Sequence, residues 1–422
     1  MAFRIEPERY NRAFSFRIDE PHFDNLMGRM KLSIKQLPLI FTTIFGVTIL
    51  AGSPSQSCAQ EPSRFSELKN LFKRDDDTLV EAGQAPCGPG GLCVLPNGDY
   101  IISCHQFFDP VYRVMRMKRD GSWEPFPNIE MNVPGGGSAP GKQLDSVVGI
   151  VCDSKGVVWM LDNGRRTEQP PKLVAWDTKK NKLRASLPIS AVVRTSFLKN
   201  LVLDPNHPII YISDPANGEE AAIIVVDITT GLSRRVLQGH ESVKPQAGLE
   251  IQLDGQPVVV KRADGEAVSL LAGVSPIALD KKGTWLYYGP RNGRTLFKIR
   301  TDLLRNESLS PDSLQAQFKG VSQKPICDSM AIDSRSNIYF TDIARGSIDY
   351  VTSDDEYLDL RILVRDPRII WPGGIVYADD RLHFFSNQLH RTKIFTGEKN
   401  AFVPPFHIFE LKPLRSGLRF GN

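Results

Sequence analysis

The chain has 422 residues, of which 41% are hydrophobic and 24% charged, with a formal net charge of +4. That composition is globular, and so small a charge, with no basic run interleaved with aromatics, gives no case for a nucleic-acid partner, and none is expected. Thirty prolines and 33 glycines suit a turn-rich all-β protein.

Residues 1–29 are polar, of mixed charge and without period, and are read as a non-structural extension. From Met30 the chain reads as an export signal over 30–59: Lys31 and Lys35 form the positive region, Leu37 to Ala51 the apolar core, and Ser57-Cys58-Ala59 a small-residue cleavage site. The apolar core is too short for a comfortable membrane span, so no stable insertion is expected after cleavage and the mature protein is expected to be secreted or periplasmic. A retained anchor is the bland alternative. Residues 60–86 form a lead-in, with the amphipathic piece RFSELKNLFKR and Asp75-Asp76-Asp77, expected as an edge element before the first blade.

From there one unit recurs: an apolar triplet, a polar turn, then a second apolar run that often carries a large aromatic. It reads GGLCVLPNGDYIISC, VGIVCDSKGVVWMLD, KNLVLDPNHPIIYISD, SPIALDKKGTWLYYGP, DSMAIDSRSNIYFTD and GGIVYADDRLHFFSN. Period-two apolar patterning on either side of turn formers is a β-hairpin. The residues after the first run, Leu95, Asp153, Asp204, Asp280, Asp333 and Ala378, fall 58, 51, 76, 53 and 45 apart. That spacing is close to the four-stranded blade of a propeller, and a hairpin cannot bury both faces unless it stacks on neighbours. The expected fold is therefore all-β: a six-bladed β-propeller of four-stranded antiparallel blades over 87–412, followed by a tail over 413–422.

The longest gap holds GLEIQLDGQPVVVKRADGEAVSLL, an added polar hairpin with turns at Asp254-Gly255 and Asp264-Gly265, expected to lie over one face of the ring. Pro134 to Lys142 is glycine-rich and ends in Gly-Lys, yet it lacks the spacing of a phosphate loop and precedes a strand. Asn306-Glu307-Ser308 is a glycosylation sequon, meaningful only in a eukaryotic secretory pathway. FVPPFHIFELKP is strand-like after its prolines and is expected to help close the ring. Cleavage would leave Cys87, Cys93, Cys104, Cys152 and Cys327; a Cys87–Cys104 bridge and buried free thiols are the two alternatives for the first pair.

In each hairpin the start of the first strand and the end of the second lie at one end, so six hairpins gather those residues in a ring on one face. The candidates for ligand binding there are Asp162, Asn163, Asn200, Asp214, Ser275, Asp328, Asp342, Trp371 and Asn387. Asp and Asn at strand ends also commonly cap nearby backbone N–H groups, which is the competing structural reading. Trp371 is read either as a planar-ligand platform or as a buried aromatic between blades. Asp162, Asp328 and Asp342 would together suit a hard cation such as Ca²⁺ or a cationic ligand. Trp159, Tyr211, Tyr287 and Tyr339 recur at matching positions and are assigned to packing. No GxSxG occurs, and the histidines show no ligand spacing.

The segments LDSVVGIVCDSKGVVWMLDNG, PPKLVAWD, SDPANGEEAAIIVVDITTGLSRRV, GVSPIALDKKGTWLYYGP, IYFTDIARGSI and FFSNQLHR, in this order, resemble the major royal jelly protein and yellow family. The resemblance spans about 88 to 412. It implies a secreted six-bladed propeller among proteins linked to pigment formation, dopachrome conversion and amine binding in the channel. A more distant similarity is to gluconolactonase and senescence-marker lactonases, whose PDGM metal motif matches CDSM here and places Asp328 on a metal-ligand position. Gly90 stands where that pattern expects a Glu and Ser275 where it expects an Asn, so no cofactor is expected, with a divalent cation at Asp328 as the alternative. Two functions follow: a monomeric binder of a small amine or catechol-like molecule in the channel, or an enzyme, either a metal-dependent lactonase or a dopachrome-type tautomerase.

Overall fold

The six hairpins form the inner strand pairs of six four-stranded antiparallel sheets in a computed structural model. It describes residues 79–414 apart from 134–135, 140, 263–264 and 353–358. The extension, the export signal, the amphipathic piece, Asp75–Asp77 and the end of the tail lie outside the described residues, and the glycine-rich loop and the Asp264-Gly265 turn lie partly outside.

Blade one runs Pro89–Val94, Tyr100–Cys104, Val114–Met117 and Trp123–Pro125, and blade two Val147–Cys152, Val157–Asp162, Lys172–Asp177 and Lys182–Pro188. Blades three, four and five begin with the inner pairs Leu201–Leu203 with Ile209–Asp214, Val274–Leu279 with Trp285–Pro290, and Cys327–Ile332 with Ile338–Asp342. The sixth differs from expectation. Its inner pair, Pro372–Ala378 and Arg381–Ser386, is followed by Phe406–Leu411, and its outermost strand is Val80–Ala85. Residues 80–85 are thus an edge element ahead of blade one, as expected, but the sheet they belong to is blade six: they pair with Phe406–Leu411, the last described strand, and close the ring. Local pattern cannot reveal this, because any exposed strand edge accepts a strand of suitable alternation.

Why the repeat carries an aspartate is visible at the turns. Asp153 Oδ1 accepts from Lys155 N and Val157 N, Asp204 Oδ1 from Asn206 N and His207 N, and Asp333 Oδ1 from Arg335 N and Asn337 N. Each carboxylate thus satisfies turn amides that the ladder leaves free. Between blades the recurring aromatics fill the core: Tyr211, Tyr339, Phe340 and Phe384 are fully buried. Side chains of this size each contribute on the order of 1.5–3 kcal/mol by burial.

A second repeat went unread in the sequence. In five blades the inner pair slips register at the start of the first strand, between Pro89 and Gly91, Val147 and Ile150, Val274 and Ile277, Cys327 and Met330, and Pro372 and Ile375. A bulge frees residues from the ladder and re-aims their side chains. Ser275 and Asp328, which join blades four and five, lie in two of these slips.

Candidate functional site

Side chains at the loop end first tie the blades together. Ser103 Oγ donates to Val148 O at 2.6 Å, Asn163 Nδ2 to Leu198 O at 2.8 Å, Asn200 Nδ2 to Ser275 O at 2.8 Å, Ser275 Oγ to Asp328 O at 3.0 Å, and Asn387 Nδ2 to Pro89 O at 2.9 Å. Trp371 Nε1 donates to Asp328 Oδ2 at 2.8 Å and completes the circuit between blades five and six. Each junction of the ring thus has a side-chain bridge. Asn163, Ser275 and Asn387, placed in the polar ring by the sequence, serve as these ties. Asn200 bridges further, since its Nδ2 also reaches Asp328 O at 2.8 Å.

The aspartates divide sharply. Asp162 accepts from Asp145 N, Ser146 N and Gly164 N at 2.8–3.0 Å and from Lys172 Nζ at 2.9 Å. Asp214 accepts from Ser196 Oγ, Phe197 N and Ala216 N, and pairs with Arg235 at 2.6 Å. Asp342 accepts from Arg345 N, and its neighbour Asp349 is buried beside it. Each of these three carboxylates is consumed within its own blade and the adjoining loop. The expectation that Asp162, Asp328 and Asp342 converge on one cation is therefore not met: Asp162 is taken up by three backbone amides and Lys172, and Asp342 by Arg345 and its buried neighbour Asp349.

Asp328 alone enters a shared cluster. Its Oδ1 lies 2.5 Å from Arg291 Nε and its Oδ2 3.8 Å from Lys199 Nζ, and all three side chains are at most 8% exposed. The Arg291 approach is short but off the N–H direction, so neither Nε nor Oδ1 has a hydrogen bond despite the ion pair. Burial by itself would raise the Asp328 pKa; the Arg291 guanidinium, then the Lys199 ammonium and the Trp371 N–H, outweigh it and leave the group below its ordinary value. Burial, joined by Arg291, pulls the Lys199 pKa down against the opposing pull of Asp328. His105, 1% exposed, is driven well below its ordinary pKa by burial and by Lys199, so it is neutral.

Aromatic rings surround this cluster. His105 lies 4.7 Å from Phe107 and 6.2 Å from Phe197, while Trp371 stacks on His390 at 5.7 Å and lies 6.1 Å from Phe395. Trp371 is 1% exposed with φ +53°, a left-handed conformation that a bulky residue adopts only when its surroundings enforce it. Of the two readings of Trp371, it is buried, yet its N–H is aimed at Asp328. Over this end lies the insertion, as two small hairpins, Gln252–Leu253 with Gln256–Pro257 and Val259–Lys261 with Ala267–Ser269. Ile251 and Val258 join the apolar cluster of Trp371, Leu389 and Phe108, and Lys261 lies against Gly397. A segment that leaves between blades three and four and reaches blades six and one must cross the axis. Asn292, next to Arg291, anchors its base by donating to Leu249 O and Leu270 O.

The sequence reading missed Lys199 and Arg291. Both were within reach of the argument, because Lys199 precedes the strand start at Asn200 and Arg291 follows the strand end at Pro290.

The residues do not fit a divalent metal at Asp328. A guanidinium and an ammonium already occupy the positions around its carboxylate from which a cation would be held, and His105 overlies Gly90, where a second carboxylate would be needed: a Cβ on Gly90 would lie 3.4 Å from the His105 ring. Among the described residues no group of three or more His, Cys, Asp or Glu is disposed to hold a metal ion.

The opposite, turn end of the channel is open. A cavity of about 710 Å³ runs inward between the inner strands to Asn200, Ser329, Gly91 and Gly374. Its walls mix apolar side chains, Ile150, Leu203, Ile277, Met330, Trp159 and Tyr377, with polar ones at the mouth such as Asp153, Lys155 and Asn206. The charged cluster lies beyond its floor. Gly91 is required there by close approach, since a Cβ would sit 2.3 Å from Val148 O. Cys87 and Cys104 are joined in a disulfide, which resolves the alternatives for that pair, and Cys93, Cys152 and Cys327 are free. No helix among the described residues is long and apolar enough to cross a membrane.

Among solved structures, the chain is similar to virginiamycin B lyase from Staphylococcus aureus, with 14% identity, TM-score 0.45, and coverage of 80% of this chain and 100% of the other. It is likewise similar to the PQQ-bound aldose sugar dehydrogenase of Streptomyces coelicolor, with 14% identity, TM-score 0.48 and coverage of 80% and 98%. A gluconolactonase from Xanthomonas campestris gives 11% identity, TM-score 0.48 and coverage of 80% and 89%. Comparison with curated proteins gives no match. The family model described as "Major royal jelly protein" matches residues 145–402, more than half of the sequence, and the chain belongs to that family.

Proposed function

We propose that this protein is an exported, monomeric small-molecule binder that holds a planar, catechol-like ligand at the loop end of its channel without a divalent metal. The observation that carries this reading is the buried Asp328–Arg291–Lys199 cluster ringed by Trp371, Phe107 and Phe197. Ion clusters with unsatisfied donors, enclosed by aromatic faces, are costly to a fold and collect where a ligand completes them. The Cys87–Cys104 disulfide supports export, because such bonds persist in oxidising compartments.

Between the amine and the catechol-like ligand, the charges favour the second. An ammonium needs a carboxylate with spare lone pairs, and Asp162, Asp214 and Asp328 are each already engaged by a cation. The metal-dependent lactonase is disfavoured for the related reason that cationic side chains stand where its metal would bind.

The test is a tryptophan-fluorescence titration with catechol, run beside calorimetry with Ca²⁺, Mn²⁺ and Zn²⁺. Saturable quenching that Trp371→Phe removes is expected, with no metal heat. Micromolar metal binding that Asp328→Ala abolishes would overturn the reading and restore the lactonase.

A further inference from the structure

We infer that the chamber around Lys199, Arg291 and Asp328 is built to take one small monocarboxylate, bound by the Lys199 ammonium and the Arg291 guanidinium. The inference rests on the channel being a ligand site and names the class of ligand.

The charge balance comes first. Two cations face one carboxylate in a space where Lys199 is 2%, Arg291 6% and Asp328 0% exposed. His105 adds no charge, because burial keeps its imidazole neutral. One positive charge therefore has no counter-ion, a costly arrangement away from water.

Hydrogen bonding points the same way. Lys199 Nζ carries three donors and makes no hydrogen bond among the described residues; the paired oxygen, Asp328 Oδ2, is beyond reach at 3.8 Å. The Arg291 side chain, with five donors in a planar fork, makes none either, and its Nε is buried without a partner. Buried donors are almost always satisfied, so Arg291 Nε, buried beside an equally unpaired Asp328 Oδ1, together with a Lys199 ammonium out of hydrogen-bond reach of that carboxylate, calls for a further acceptor between the two cations.

The class follows from magnitude and shape. A single excess positive charge matches a monoanion; a phosphate dianion would reverse the imbalance instead of cancelling it. A carboxylate meets a guanidinium through two parallel hydrogen bonds and leaves a lone pair for the ammonium. The aromatic rings of Phe107, Phe197 and Trp371 suit a flat apolar body behind that carboxylate, and Phe107 and Phe197, which lie against each other and against His105, are only half-buried.

The experiment is isothermal titration calorimetry of the intact protein with benzoate, benzyl alcohol, benzylamine and inorganic phosphate. Benzoate is expected to bind at least tenfold more tightly than the other three. Lys199→Met should weaken benzoate by about tenfold or more, the loss of one charge-assisted contact. Asp328→Asn should tighten it, because a repelling charge is removed while the shape is kept. Damage to the fold weakens binding in both variants, so opposite signs cannot arise from misfolding. Benzyl alcohol or benzylamine binding as well as benzoate would overturn the carboxylate assignment and leave the channel site standing. A Lys199→Met variant that keeps full benzoate affinity would do the same. Should none of the four produce saturable heat, the carboxylate assignment falls, and the catechol titration decides the channel reading separately.

Discussion

Asp162 is a sharp place to test whether the strand-end aspartates hold blades or bind ligands. Substituting Asp162→Ala removes an acceptor for three backbone amides and strands the Lys172 ammonium, which is only 6% exposed, without its partner at 2.9 Å. Breaking one side of a buried pair costs about 3–5 kcal/mol, chiefly from the charge left behind. Unfolding entropy of about 2.1 cal/mol/K per residue over a ring of roughly 330 residues gives ~0.7 kcal/mol/K, so Tm should fall by about 4–7 °C. The double variant Asp162→Asn with Lys172→Met keeps an amide acceptor and removes the orphan charge, and it should recover more than half of that loss. Differential scanning calorimetry of the wild type, Asp162→Ala, Asp162→Asn, Lys172→Met and the double variant completes the cycle. A fall of less than about 1 °C in Asp162→Ala, or a double variant no better than the single, would refute the assignment of Asp162 to blade structure.

Two further outcomes follow from other groups. Asp349 is pushed up to about 7 by burial first, with Asp342 beside it adding to the rise, so the pair holds a proton in the fold that the unfolded chain releases near 4. Stability from this pair is full below about pH 4 and is lost as pH rises toward 7; Asp349→Asn should therefore raise Tm at pH 8 relative to the wild type and do little at pH 4, as thermal melts at both values would show. Replacing Cys87 and Cys104 by Ser opens a loop of sequence separation 17, which should cost about 3 kcal/mol and be reproduced in the wild type by a thiol reductant, read as the same fall in Tm.

Much of the architecture was legible along the chain. Period-two patterning around turn formers set out six hairpins, and their spacing implied four-stranded blades, because alternation and turn chemistry are local and survive without knowledge of neighbours. Register within a hairpin is likewise local, so the sequence also established which residues gather at the loop end, and Asn163, Asn200, Ser275, Asp328, Trp371 and Asn387 do lie among the ties and the cluster there. Three matters belonged to the tertiary structure alone. The partner of Val80–Ala85 is Phe406–Leu411, more than three hundred residues away, and a strand edge carries no address. Asp162, Asp214 and Asp328 look alike in sequence, but the first two meet local amides and a cation of their own blade while a bulge turns the third to the axis. Lys199, Arg291 and Asp328 come from three different blades and meet only once the ring closes, so the sign of the charge in the channel, and with it the kind of ligand the channel suits, is a property of the fold and of no single segment.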